Sequence, residues 1–148
     1  MRRFLPFVFV LLGCHADSPL VPVDVRAWAE ARARWQAAGI SHYRYESGLS
    51  CFCPAEIAGP ITVEYRDGIL VDARYASGAP VPATLAQSRP PIDSLFAVIL
   101  EQNDQWTDKV EVTYDARYGY PRVINVFAKP GIADGGSTRT ITRFDPLP

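Results

Sequence analysis

The residue types and spacing in this 148-residue chain that point most directly to chemistry are those of Cys51-Phe52-Cys53-Pro54. In an extended strand, residues two apart project from one face, so both thiols point the same way. Pro54 cannot donate to a ladder and ends the strand directly after them. Three states are open to such a pair. In an oxidising compartment an intrachain disulfide is the default. In a flat strand, however, the two Cα atoms stand about 6.5 to 7 Å apart, at the edge of the bridging range, so a bridge requires a local bend. A reduced pair binding a soft metal such as Cu(I) is the second state, and an intermolecular bond is the third. Soft-metal and zinc sites commonly recruit further Cys, His or Met. Besides this pair the chain offers only His15, His42, Met1 and Cys14. Thioredoxin-type enzymes use Cys-x-x-Cys at a helix start, which this motif is not. No metal and no cofactor are expected.

His42 is the one histidine expected inside the folded domain. A general base there needs Asp or Ser partners that only folding supplies, and no Gly-x-Ser-x-Gly or His-Glu-x-x-His motif flanks it. No catalytic residue is assigned from sequence. The run from Tyr114-Asp115 to Tyr118-Gly119-Tyr120-Pro121 reads as a strand connection, with an aspartate opening a turn and a glycine free to take positive φ. Tyr118 and Tyr120 are also a candidate contact surface, because tyrosine joins a large apolar body to a polar tip.

The chain opens with Arg2, Arg3, an apolar run over 4–12, and Leu11-Leu12-Gly13-Cys14. A basic stretch, a short apolar stretch and small residues before a cut define a secretory signal, and a cysteine at the cut is the pattern of a bacterial lipobox. The apolar run is about half the roughly 20 residues that a membrane-spanning helix needs. The reading is a signal peptide over 1–13, lipidation at Cys14, and an extended tether over 14–23 that carries Pro19 and Pro22. The domain is then lipid-anchored in the cell envelope. His15 stands where an aspartate would favour inner-membrane retention, which places the domain at the outer membrane, facing the periplasm. All sixteen acidic residues follow Cys14 and two of the fifteen basic ones precede it, so the processed chain carries a net charge of −3. Such a domain has no electrostatic footprint for nucleic acid.

These features are carried by a single domain over 24–148. With 48% hydrophobic and 21% charged residues, it lies well outside the disordered regime. Asp24 caps a helix whose buried stripe is Trp28, Ala31, Trp35 and Ala38, with Gly39 as its stop. From His42 the period becomes two, with Tyr43, Tyr45, Ser47 and Leu49 on one face. Alternating runs over 61–65 and 69–75 flank Asp67-Gly68, a type I′ hairpin signal. Residues 76–91, rich in Pro and Gly, read as a long surface connection. A second helix starts at Asp93 with Ile92, Leu95, Phe96, Ile99 and Leu100 as its stripe. Strands follow at 109–114, 122–128 and 137–144. The class is α+β: an antiparallel sheet of about six strands with two amphipathic helices packed on one face, in the order α-βββ-α-βββ.

Trp35, His42-Tyr43-Arg44-Tyr45, Cys51-Phe52-Cys53-Pro54, Val63-Glu64-Tyr65-Arg66-Asp67-Gly68 and the 112–121 segment together resemble a bacterial lipoprotein family called domain of unknown function 6174. The resemblance spans about 28–144 and brings no activity with it. In that family further acidic residues often follow the aspartate that here is Asp134, whereas this chain has Gly135 and Gly136. The functional expectation is a binding or assembly module with an envelope protein as partner. The alternative is a small hydrolase or thiol-dependent enzyme using Cys51 and Cys53 or His42. A surface of exposed aromatics favours the first, and a pocket holding His42 against a carboxylate favours the second.

Overall fold

The structure is a computed structural model and describes residues 23–102 and 105–148. The expected signal peptide, the expected lipidation site Cys14 and the expected tether up to residue 22 lie outside the described residues. Asp24 accepts a hydrogen bond from the Ala27 amide at 3.0 Å and opens α1 (Val25–Ala38), which Gly39 ends in the left-handed conformation. Of the expected stripe Ala31 and Trp35 are buried and Trp28 is half-buried, while Ala38 is exposed.

The six strands are β1 (His42–Ser50), β2 (Ile61–Arg66), β3 (Ile69–Tyr75), β4 (Thr107–Tyr114), β5 (Pro121–Ala128) and β6 (Ser137–Pro146). They form one antiparallel sheet in the order β3-β2-β1-β6-β5-β4. Each half of the chain contributes a meander, and the two meanders join where β1 pairs with β6. Two short helices, α2 (Ala55–Ala58) and α3 (Ala83–Ala86), and the longer α4 (Ile92–Glu101) complete the element order. The α-βββ-α-βββ order holds for the two main helices.

One face of the sheet is apolar and covered. Tyr43, Tyr45, Ile61, Val63, Tyr65, Ile124 and Ile141 lie under Ala31 and Trp35 of α1 and under Ile92, Leu95, Phe96 and Ile99 of α4. The indole of Trp28 donates to the Phe96 carbonyl at 3.0 Å and that of Trp35 to Asp93 Oδ1 at 3.2 Å, so both tryptophans bury their rings with the N–H satisfied and tie α1 to α4. The other face carries exposed or half-buried ion pairs, including Arg44–Glu64, Arg74–Asp72, Lys109–Glu111 and Arg143–Asp145.

Two local expectations hold only in part. In β3 the register runs Glu64↔Asp72 and then Tyr65↔Leu70, leaving Val71 as the extra residue of a bulge. The slip turns Leu70 inward and leaves Ile69 and Val71 exposed, because one inserted residue reverses the facing of everything beyond it. The 76–91 connection is a surface loop only in part, since it contains α3 and buries Val81, Ala86 and Arg89.

Arg89 and three tyrosines explain that burial. Tyr45 donates to the Pro90 carbonyl at 2.6 Å and Tyr65 to the Arg89 carbonyl at 2.7 Å, while the Ile92 amide donates to the Tyr43 hydroxyl at 2.9 Å. The rings hold the entry to α4 against β1 and β2, and desolvation holds all three phenols above their usual range, Tyr65 at about 12. The Arg89 side chain, fully buried, spends its five N–H groups on the carbonyls of Ser47, Ile57, Gly59 and Ser88 and on the Ser88 hydroxyl. Burial pulls its guanidinium down to about 10, so it remains charged at neutral pH.

Candidate functional site

At the end of β1 the chain leaves the strand and bends, bringing the Cys51 and Cys53 Cα atoms to 5.3 Å with their Sγ atoms at disulfide distance. The bend that a flat strand could not provide is supplied by the turn from Ser50 into Pro54 and α2. Both cysteines are half-buried, and the residue between them is thrown outward: Phe52 is 84% exposed. Among the described residues it is the most exposed of the large hydrophobic side chains.

Phe52 borders an open groove of about 630 Å³. One wall is Ser50, Cys51 and Phe52; the other is Phe127 at the end of β5 and Asp134 in the connection into β6, with Thr138 of β6 between them, paired with Ser50. Phe127 is 40% exposed, and its ring lies under the Lys109 ammonium at 4.8 Å. Asn125 and Ser137 add polar groups between the walls. Asp134 is the one charged residue among the described residues that line the groove. A smaller hollow sits over the ring itself, lined by Cys51, Phe52, Cys53 and Pro54. Cys51 thus faces both spaces.

His42 lies elsewhere, at the start of β1 on the open polar face. Its Nε2 lies 3.0 Å from Glu64 Oε1 and its Nδ1 2.8 Å from the Pro148 carbonyl oxygen. Glu64 Oε2 accepts from Arg44 at 2.6 Å. The bond to His42, with Arg44 second, holds the Glu64 carboxyl below its usual range. The imidazole does face a carboxylate beside a cleft shared with Arg66 and Asp67. Both of its nitrogens are already committed to protein oxygens, which leaves neither to take a substrate proton.

Tyr118 and Tyr120 do not form the exposed pair that a contact surface requires. Tyr120 is only 7% exposed and stacks on Phe144 at 4.5 Å, and Tyr118 is half-buried against the same ring. Asp115 Oδ1 accepts from the amides of Arg117 and Tyr118, which curls the turn. Gly119, at φ +83, then packs against the backbone of α1, so both tyrosines are drawn into the core. The exposure of Phe52 and Phe127 follows from no periodicity in the sequence, whose one cue to it is a phenylalanine caught between two cysteines that must bend to meet. Among the described residues there is no cluster of three or more His, Cys, Asp or Glu able to hold a metal.

A two-meander antiparallel sheet with two helices on one face and an open groove at the end of its central strands defines a small α+β domain whose distinctive surface is a Cys-x-Cys ring. The chain belongs to the family of unknown function DUF6174, which matches over residues 27–146. No curated protein and no solved structure matches it.

Proposed function

We infer that this domain is a polypeptide-binding module of the cell envelope, held to the outer membrane by lipid on Cys14 and facing the periplasm, with the groove beside Phe52 as its binding surface. Phe52 carries the reading. Aromatic side chains dominate the energetics of protein interfaces, and burying a phenylalanine is worth about 1.5 to 3 kcal/mol. Phe127 across the groove provides a second apolar contact, and Ser50, Asn125, Ser137 and Thr138 supply groups that can bond the backbone of an extended segment.

The test is site-specific photocrosslinking in cells, with the photoreactive residue at position 52 and, as a control, at the exposed Arg34 of α1. A discrete adduct from position 52, absent from position 34 and lost with Phe127→Asp, is expected. Identical patterns from both positions would end the reading. Intact-mass analysis of the membrane-extracted chain tests the anchor, since an unmodified mass would remove the lipid. A hydrolase centred on His42 has the Glu64 contact in its favour, but the engagement of both ring nitrogens weighs against it.

A further inference from the structure

We propose that the Cys51–Cys53 pair is a thiol–disulfide exchange site whose substrate is a polypeptide dithiol, with a basic residue beside its attacking cysteine, lying in the groove; this rests on the groove binding a polypeptide. Three independent observations converge on it. The sulfurs are at disulfide distance and half-buried rather than sealed in the core. They close a ring of three residues, and a crosslink over so short a loop gains little protection from chain entropy. Cys51 also lines the groove that ends on Phe52, whereas Cys53 lines the small hollow over the ring and not that groove. An incoming sulfur in the groove therefore meets Cys51 first.

The step balances without any further reactant. The substrate's first thiolate attacks Cys51 Sγ, forming a substrate–Cys51 mixed disulfide, while the Cys51–Cys53 bond breaks and Cys53 leaves as the thiolate. The substrate's second thiolate attacks the mixed disulfide at its own first sulfur and releases Cys51. Two electrons pass from the substrate, now a disulfide, to Cys51 and Cys53, which take up the two thiol protons. Phe52 holds the segment against the ring. Asp134 selects the neighbouring residue, because as the charged group of the groove it favours a cationic side chain beside the substrate's sulfur. That cation also promotes the substrate thiolate, which is the attacking species.

The experiment uses the full chain, detergent-solubilised in its oxidised form, with three synthetic peptides: a dithiol peptide with arginine beside its first cysteine, the same peptide with glutamate there, and the arginine peptide with both cysteines replaced by serine. Quenching with an alkylating reagent and mapping residues 51 and 53 by mass spectrometry reads the electron transfer. The arginine peptide should reduce the pair about two- to fivefold faster than the glutamate peptide, the range an exposed ion pair allows. Asp134→Lys should reverse that order. Cys53→Ala should trap a mixed disulfide with the oxidised arginine peptide that maps to Cys51. Fluorescence anisotropy with the serine peptide reads binding without chemistry. If that peptide binds while the dithiol peptides leave residues 51 and 53 oxidised, or if Asp134→Lys leaves the rate order unchanged, exchange as proposed is refuted and the groove reading stands. If the serine peptide does not bind, both fall.

Discussion

Replacing Gly119 by alanine should be among the most damaging single-methyl changes in this fold, and a second glycine shows why. Gly119 and Gly68 both sit at positive φ, +83 and +77. An L-residue in left-handed backbone costs about 1 to 2 kcal/mol, so that part is common to the two sites. Their surroundings differ. A Cβ at Gly68, in the Asp67-Gly68 hairpin turn, meets nothing within 4 Å, whereas one at Gly119 comes within 2.9 Å of Arg34 Cβ and 3.1 Å of the Trp35 amide, and closer still to the Ala31 carbonyl oxygen. These are mostly backbone atoms of α1 and cannot rotate away, and overpacking of this kind costs about 1 to 3 kcal/mol more. Gly119→Ala should therefore lose about 2 to 5 kcal/mol and Gly68→Ala about 1 to 2. With roughly 4 °C per kcal/mol for a domain of this size, the midpoints should fall by about 8 to 20 °C and about 4 to 8 °C. Thermal and urea unfolding followed by circular dichroism measures both. Equal losses for the two variants would refute the docking of the Tyr118-Gly119-Tyr120 turn on α1.

Arg89→Met should cost about 3 to 5 kcal/mol, because it strands the Ser47, Ile57 and Gly59 carbonyls without donors, and Arg89→Lys should recover part of that loss in urea unfolding. Lowering of the Glu64 carboxyl in the folded state means that its contribution is present above the ordinary carboxylate range, about pH 4.3, and is lost as pH falls through the lowered value. Glu64→Gln should flatten that part of an acid-unfolding curve, and an unchanged curve would show that the His42 and Arg44 contacts do not act in solution. Burial raises the phenols of Tyr43, Tyr45, Tyr65 and Tyr114, so they should not ionise near pH 10 while the chain is folded; ultraviolet absorbance titration should show them ionising together with unfolding, and free titration near pH 10 contradicts their burial. Replacing Cys51 and Cys53 by serine should leave the domain folded at a cost of about 1.6 kcal/mol, the loop-entropy value for a three-residue ring, and a chain that fails to fold would give the pair a larger structural role than its position implies.

Period and punctuation carried most of this architecture in the sequence itself. Asp24 and Gly39 bracket α1, the 3.6-residue stripe of Leu95, Phe96 and Ile99 marks α4, and Asp67-Gly68 between alternating runs makes the first hairpin. Each of these rests on interactions within a few residues, so the chain states them locally. The Cys51-Phe52-Cys53 spacing was equally legible, and with it the need for a bend if the sulfurs are to meet. Tertiary contacts decided the rest. Nothing near Arg89 in sequence marks it as buried, because apart from the adjacent Ser88 its acceptors lie on β1, on α2 and in the turn after α2, and only the assembled fold brings them together. The inward turn of Tyr120 follows from a glycine passing against a helix more than eighty residues earlier in the chain. The exposure of Phe52 and Phe127 on one groove arises because β1 pairs with β6 and β6 with β5. Local propensity reaches a few residues along the chain, whereas a surface is defined by what long-range packing leaves uncovered, and here that uncovered place is the groove beside the two sulfurs.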